Sequence, residues 1–267
     1  MLRKRLAIWL DRQSWVAARH AWAMSLLWDW AERDPAAFQR FLWSHHIGYA
    51  RFYESANKFG GENLLPSRKL LVEELVEYLG AQGVDPVRDV HSILDVGSSA
   101  GFLLRYLETR VFTSATELLG LDIDSSAVAE GSSYLSTQNS RIRLLRADLA
   151  DLASIAAGKK FDILLCTGVL LCVTEAEAES AIGVMLRHAR LVVLSVLAHP
   201  EMDNRNMTHS VPRAHDRTWI HNIDAMIERR GGEVTHRHWM GDRLSAGQLA
   251  LFIFCRQRNS PGNFSHG

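Results

Sequence analysis

The sequence is poor in cysteine, has no excess of charge of either sign and contains no long apolar run. Its 267 residues include three cysteines, Cys166, Cys172 and Cys255, without a Cys-x-x-Cys pair or the spacing of a metal site. Thirty basic residues balance thirty acidic ones, which argues against the strongly positive surface of a general nucleic-acid binder. No run of about 18 apolar residues offers a membrane span. We therefore expect a cytoplasmic protein with no nucleic-acid partner and no metal site.

The first third of the sequence is predicted to be helical. Apolar residues recur at helical spacing over residues 15–30. Asp34-Pro35 favours the start of a second helix that runs to about Tyr53, because aspartate caps a helix and proline fits its first turn. A third helix is predicted over residues 66–80. We expect residues 1–88 to form a helical extension or lid.

From residue 91 onward, short apolar runs alternate with helical stretches. Apolar runs of about five residues joined by crossover helices are typical of buried parallel strands. The stretch Arg217–Arg230 predicts a helix with one apolar face. We expect one domain over residues 89–257 and a flexible polar tail over residues 258–267. The predicted strands are Ile93–Val96, Glu117–Leu121, Ile142–Arg146, Phe161–Cys166, Leu191–Val196, Val234–Trp239 and Gln248–Cys255.

The strongest local signal lies between Ile93 and Leu103, where an apolar strand leads through small residues into a helix. Gly97 allows a sharp turn and the close approach of a ligand, and Gly101 allows the helix to pack closely on the strand. Free amide groups at such a helix start favour a carboxylate or phosphate. On its own, the glycine pair also fits a tight turn without a ligand.

Acidic residues follow at the ends of the next two predicted strands. Asp122 ends the second strand, about 20 residues after the glycines, where an acid can accept hydrogen bonds from both hydroxyls of a ribose. Asp148 ends the third strand and can accept a hydrogen bond from an adenine amino group. Each acid alone also fits a helix cap. Their order at consecutive strand ends favours a nucleoside site.

This series of motifs resembles that of class I methyltransferases that depend on S-adenosyl-L-methionine (SAM). The resemblance covers roughly Val90 to Cys255. It implies an α/β fold with a Rossmann-like sheet of seven strands, whose last strand inserts antiparallel between two parallel ones. It also implies SAM as methyl donor and S-adenosyl-L-homocysteine as product. The matching segments are Asp95-Val96-Gly97-Ser98-Ser99-Ala100-Gly101, Gly120-Leu121-Asp122, Ala147-Asp148, and Phe161-Asp162 with Cys166-Thr167-Gly168-Val169-Leu170.

The same resemblance implies which residues hold the donor. Asp122 would hold the ribose, Ile123 would lie against adenine, and Asp148 and Leu149 would contact the adenine edge. The family's middle glycine is replaced by Ser99 in this sequence. The remaining implied donor-site residues are Asp95, Gly97 and Gly101 around the methionine part, Ser98 in the same turn, and Thr167 in the pocket wall.

Methyl transfer to oxygen needs an aligned acceptor and a base that works near neutral pH, a role that suits histidine. His199 directly follows the fifth strand, His215 lies in the next loop, and His221 is expected on the polar face of the following helix. Each of them also fits a surface or packing role. Arg213 is a candidate substrate anchor. The fourth motif lacks the Asn/Asp-Pro-Pro-aromatic signature of enzymes that methylate amino groups, so we expect a small uncharged acceptor methylated on oxygen.

The aromatic residues of the first third allow several interpretations. Tyr49 and Tyr53 are candidates for the acceptor pocket, although aromatics at helical spacing also fit a plain core. Trp9, Trp15 and Trp22 lie near basic residues and fit an interfacial membrane helix, a homodimer contact or a lid.

Two other functions remain open from the sequence. A nicotinamide-dependent oxidoreductase or epimerase could use a related sheet. In such a fold, however, the glycine turn usually lies close to the N-terminus, whereas here it begins at Gly97. The Tyr-x-x-x-Lys pair of short-chain dehydrogenases is also missing from this sequence. A catalytically inert SAM-binding scaffold is the other alternative, because Ser99 departs from the motif and no base is unmistakable.

Overall fold

The chain is built around a seven-stranded sheet with helices on both faces. The computed structural model describes residues 2–13, 15–16, 18–47, 64–241 and 250–258. The strands are β1 (Ser92–Val96), β2 (Glu117–Asp122), β3 (Ile142–Arg146), β4 (Phe161–Thr167), β5 (Ala189–Leu197), β6 (Val211–Pro212), β7 (Trp219–Ile220), β8 (Gly232–Gly241) and β9 (Ala250–Gln257). The helices are α1 (Leu2–Asp11), α2 (Arg19–Arg33), α3 (Pro35–Ser44), α4 (Pro66–Ala81), α5 (Phe102–Arg110), α6 (Ser125–Thr137), α7 (Leu152–Ile155), α8 (Glu175–His188) and α9 (Ile223–Arg229).

The strand order of the main sheet is β3-β2-β1-β4-β5-β9-β8, and β6 pairs separately with β7. The first five strands are parallel to one another. The last strand, β9, lies between β5 and β8 and is antiparallel to both. This arrangement confirms the predicted α/β fold, including the antiparallel last strand.

Both faces of the inner strands are buried, which explains why β1, β2, β4, β5 and β9 are mainly apolar, whereas the edge strands β3 and β8 are partly exposed. Neighbouring residues of β1 show the alternation, because Ile93 packs in the core beneath α4 and α5, whereas Leu94 packs in the core that contains α8 and α9. Helix α4 lies within the predicted extension. Its Leu71 and Leu75 nevertheless pack on the sheet.

The first three helices have a small core of their own, which includes Leu27, Phe38 and Leu42. Asp34 caps α3 as predicted, since its side chain accepts a hydrogen bond from the amide of Ala37 at 3.1 Å. The prediction that this helix continues to about Tyr53 was wrong. It ends at Ser44, and His46 has a left-handed φ of 54° that cannot continue a helix.

The helix predicted over Arg217–Arg230 is also corrected. Arg217 has a left-handed φ of 60°, and the next residues form strand β7. Helix α9 begins only after Asn222, whose side chain accepts a hydrogen bond from Ala225 N at 3.0 Å. His221 therefore lies before the helix and is buried, instead of occupying the polar face of a helix.

Helices α1 and α2 expose large apolar side chains, among them Leu2, Trp9 and Trp22. No helix in the described ranges is both long and apolar enough to cross a membrane. Whether this apolar surface contacts a membrane surface or a second copy of the chain stays a prediction.

Candidate active site

The carboxyl ends of β1 to β5 lie along one edge of the sheet because these strands are parallel. From β1 the chain continues to β2 and β3 on one side, whereas β4 and β5 lie on the other side. Ligands of open α/β sheets bind at this kind of topological switch point. We call the space beyond the ends of β1 to β4 the donor crevice.

The turn after β1 is held tightly against β2. The amides of Gly97 and Ser98 both donate to Leu121 O, at 2.7 and 2.9 Å. Gly97 has φ 77°, and a Cβ atom there would lie 2.0 Å from Cγ2 of Val169. Packing between β1 and the loop after β4 thus requires glycine at this position. Ser99 has φ 50°, so serine occupies a backbone conformation that favours glycine.

Asp95 is the most unusual carboxyl group of the crevice. It is only 1% exposed, and its Oδ1 atom has no hydrogen-bond partner among the described residues. Burial raises the pKa of Asp95 to about 7, while the nearby Arg68 guanidinium opposes the rise and the charge of Asp122 adds to it. A buried carboxylate that lacks a full set of partners favours a cationic ligand beside it.

Asp122 links the glycine turn to the end of β2. Its two carboxylate oxygens accept hydrogen bonds from Ser99 N at 2.6 Å and from Asp124 N at 2.8 Å. Burial raises the pKa of Asp122, and these backbone hydrogen bonds partly oppose the rise. Each oxygen retains a further lone pair for a ligand hydroxyl. Ile123, the next residue, is partly buried.

Asp148 follows β3 and contacts the N-terminal helices. One of its oxygens accepts from Ala150 N at 3.1 Å, and the other accepts from Arg40 Nε at 3.0 Å. Arg40 also donates to Glu177 Oε1 at 2.9 Å, so helix α3 is tied both to the loop after β3 and to the first turn of α8. Leu149 packs partly buried against the core beside Asp148.

The N-terminal helices make further contacts along the same edge. Nδ1 of His46 lies 2.5 Å from Oδ2 of Asp124, the residue that caps α6. Nε2 of Gln39 donates to Asp216 O at 2.6 Å in the loop after β6. Tyr49 and Tyr53, the predicted acceptor-pocket residues, lie outside the described residues.

Arg68 brings a positive charge to the end of β4. Its Nη2 atom donates to the carbonyl oxygen of Thr167 at 3.0 Å, and Thr167 itself is buried. Arg68 and Arg40 were not among the residues predicted from the sequence. They lie on helices without a motif, and only their tertiary contacts distinguish them from other surface arginines.

The loop after β6 holds two of the predicted acceptor-site residues. His215 is well exposed, and its Nε2 lies 3.6 Å from Asp216 Oδ2. Arg213 is bound within the loop, since its guanidinium contacts the Asp216 carboxylate and donates to Thr218 Oγ1 at 2.9 Å. Its position favours a role in shaping the loop.

The other two histidine candidates differ in which ring atoms are available. Nδ1 of His199 accepts a hydrogen bond from Glu201 N at 3.1 Å. His221 is buried with both ring nitrogens engaged, 2.6 Å from Ser210 Oγ and 2.9 Å from Leu170 O. Burial lowers the pKa of His221, while the hydrogen bond with Leu170 opposes this effect.

The loop after β4 lies between the donor crevice and the loop between β6 and β7, which we call the His215 loop. Burial raises the pKa of the Cys172 thiol to about 12, and the charges of Asp216 and Asp122 add to the rise. The same loop contacts the segment that follows His215 along the chain, because His221 Nε2 donates to Leu170 O at 2.9 Å. The described residues bring the predicted donor-site acids and the His215 loop to one edge of the sheet.

Comparisons with known proteins agree with this geometry. Residues 93–190 match the family model described as a methyltransferase domain. No curated protein sequence matches the chain. A SAM-dependent methyltransferase from Clostridium acetobutylicum ATCC 824 has a similar structure, with TM-score 0.53 and 10% identity over 78% of this chain and 98% of that one.

Two further solved structures are similar. Magnesium protoporphyrin IX methyltransferase from Synechocystis PCC 6803, with bound S-adenosyl-L-homocysteine, gives TM-score 0.50 and 17% identity over 71% of this chain and 82% of that one. The (4+2) cyclase SpnF gives TM-score 0.55 and 14% identity over 69% of this chain and 80% of that one. At such identities the likeness concerns the fold.

The sheet has the topology of the class I methyltransferase fold, and residues 93–190 carry a methyltransferase domain. SAM, the donor that the sequence motifs imply, carries an electrophilic methyl group on a cationic sulfonium. The described residues fit this donor. The buried Oδ1 atom of Asp95 has no hydrogen-bond partner among them and would be stabilised by a cationic ligand, and Asp122 can still accept hydrogen bonds from a ribose.

Proposed function

We propose that this enzyme methylates a hydroxyl oxygen of a small molecule bound between the donor crevice and the N-terminal helices. The observation that carries the proposal is the attachment of α3 and the residues after it along the crevice, through Arg40–Asp148, His46–Asp124 and Gln39–Asp216. Helices held at this edge restrict access to the crevice. A small acceptor fits such a site better than a folded macromolecule does.

The donor would bind across the strand ends in the order that the motifs suggest. Asp122 would accept hydrogen bonds from the ribose hydroxyls. Asp148 and Leu149 would contact the adenine edge, with Ile123 against the ring. The methionine part would lie against the β1 turn and the end of β4, at Asp95, Gly97, Ser98, Gly101 and Thr167.

His215 is the proposed base. Its exposed imidazole can accept a proton from the acceptor hydroxyl, and the adjacent Asp216 carboxylate would stabilise the imidazolium that forms. His199 is less suited, because Nδ1 already accepts a hydrogen bond and the neutral ring then carries its proton on Nε2. His221 has both nitrogens engaged and would position the loops that it joins.

Donor binding is tested first by calorimetric titration with SAM, S-adenosyl-L-homocysteine and NADH. We expect the two adenosyl compounds to bind and NADH not to bind. Asp122→Ala should weaken donor binding at least tenfold, while Glu130→Gln, an exposed acid on α6, should leave it unchanged. Binding of NADH alone would refute the proposed donor site.

The acceptor is tested with methyl-labelled SAM and a panel of small phenols, sugars and amines. Product analysis should locate the label on oxygen, and His215→Gln should lower kcat by about 10²–10⁴-fold with SAM affinity unchanged. His209→Gln, an exposed histidine close in sequence, is the matched control. Label found only on nitrogen would contradict the oxygen acceptor. Full activity in His215→Gln would contradict the role of His215 as the base.

A further inference from the structure

Two histidines of β8 lie next to a glutamate of α4, at a distance along the sheet from the donor crevice. His236 and His238 alternate along the strand and pair with Phe254 and Phe252 of β9. Both phenylalanines belong to the core beneath α4. The two histidines therefore face α4 at the edge of the sheet, because alternate residues of a strand share a face.

A β-bulge at Thr235 directs these histidines to that face. Val234 pairs with Cys255, which packs in the core on the opposite face of the sheet, and the next pair is His236 with Phe254. The extra residue between them reverses the alternation of the strand. Without the bulge, His236 and His238 would point to the α9 side, away from Glu74.

The structure assigns a binding site for a divalent transition-metal ion to Glu74, His236 and His238. One ligand atom of each residue lies within 4.8 Å of the other two. Glu74 Oε2 is 2.9 Å from Nε2 of His236, and Glu74 Oε1 contacts Nδ1 of His238. Two ligands on a tetrahedral zinc ion are separated by about 3.3 Å, given bonds of about 2.0–2.1 Å. Small side-chain rotations would therefore open the cluster enough for an ion.

The chemistry of the ligands selects the class of metal. Two imidazoles and one carboxylate suit Zn²⁺, Fe²⁺, Co²⁺ or Ni²⁺, whereas Mg²⁺ and Ca²⁺ prefer ligands that are all oxygen. The His238 side chain is 48% exposed and Glu74 is 10% exposed, so solvent reaches the site from one side. A fourth position is thus available to water.

Such an ion would join α4 to the edge of the sheet. Glu74 lies nearly two helical turns from Arg68, which donates to Thr167 at the donor crevice. The ring of His236 is supported by Phe254, at a centroid distance of 4.7 Å, and by Tyr78 at 6.0 Å. The site is consequently built on a helix and a strand, which hold its ligands in place without a flexible loop.

Zinc binding to the full chain, dialysed first against a chelator, tests this assignment. Titration in competition with a chromophoric chelator should reveal one Zn²⁺ site per chain that Mg²⁺ does not occupy. Glu74→Gln, His236→Gln and His238→Gln should each weaken zinc binding at least 10–100-fold, the range seen when even supporting residues of metal sites are removed. His91→Gln, an exposed histidine before β1, should bind zinc as the wild type does.

A second measurement protects the test against unfolded variants. Zn²⁺ should raise the Tm of the wild type and of His91→Gln but not that of Glu74→Gln, which keeps the size and a hydrogen-bonding group of the native side chain. The Co²⁺ form should show the intense visible bands of a four-coordinate ion. Equal zinc affinity in the wild type and in folded Glu74→Gln or His238→Gln would overturn the assignment, as would the absence of a one-to-one site.

Discussion

The raised pKa of Asp95 predicts that SAM binding depends on pH. The carboxyl group is buried beside the β1 turn, and its pKa of about 7 makes it roughly 10% ionised at pH 6 and roughly 90% ionised at pH 8. SAM is cationic at its sulfonium and ammonium groups. If the ionised carboxylate is the form that binds SAM, affinity should rise about tenfold between pH 6 and pH 8, or about 1.4 kcal/mol.

The direction of this pH dependence follows from the raised pKa of Asp95. In the ligand-free protein, burial favours the protonated Asp95, so the stability that this group contributes is lost as pH rises through about 7. Bound SAM favours the ionised form and opposes that loss. Binding at pH 6 should therefore release close to one proton per SAM, and binding at pH 8 should release few.

Calorimetry at pH 6, 7 and 8, in pairs of buffers with different ionisation enthalpies, measures both the affinity and the number of protons released. Asp95→Asn keeps the shape of the side chain but cannot ionise, so its affinity should be low and constant across this range. Glu130→Gln serves as the control for a general effect of charge. A constant wild-type affinity, or a pH dependence that persists in Asp95→Asn, would refute the reasoning.

Three further predictions concern stability. Ser99→Gly should raise the free energy of unfolding by about 0.5–1 kcal/mol. The strain of a left-handed serine, about 1–2 kcal/mol, is removed, and this exceeds the added entropy of glycine in the unfolded chain, about 0.4–1 kcal/mol. Urea unfolding that shows no gain in stability would contradict this. Gly97→Ala should destabilise the protein by about 2–5 kcal/mol through its clash with Val169 and its positive φ, and Val169→Ala in the same chain should recover the packing part, as measured by thermal unfolding. Burial lowers the pKa of His221, so its contribution to stability is present above pH 6.5 and is lost as pH falls; an NMR titration that gives a pKa at or above 6.5 would disprove this.

Much of the fold could be predicted from local sequence because the inner strands of the sheet are buried on both faces. That burial requires a short apolar run at each strand, and the runs of β1 to β5 stand out between helical stretches. Parallel strands bring their carboxyl ends to one edge, so Asp95, Asp122 and Asp148 could be grouped from the sequence alone.

Local sequence was misleading where tertiary contacts or single backbone angles decide the conformation. Trp219 and Ile220 have helical spacing with Ile223, yet Arg217 adopts a left-handed φ and the segment pairs with β6 instead. His221 was consequently expected on a polar helix face, whereas it is buried between two loops.

The sequence by itself determined the class of the enzyme, because its motifs follow one another at strand ends and their order carries the information. Only the tertiary structure brought Arg40 to Asp148 and Arg68 to the end of β4, since these pairs join helices to loops that are remote along the chain. The cluster of Glu74 with two histidines likewise depends on one bulge in β8. Its position decides which face of the sheet the histidines occupy, and no local pattern in the sequence specifies it.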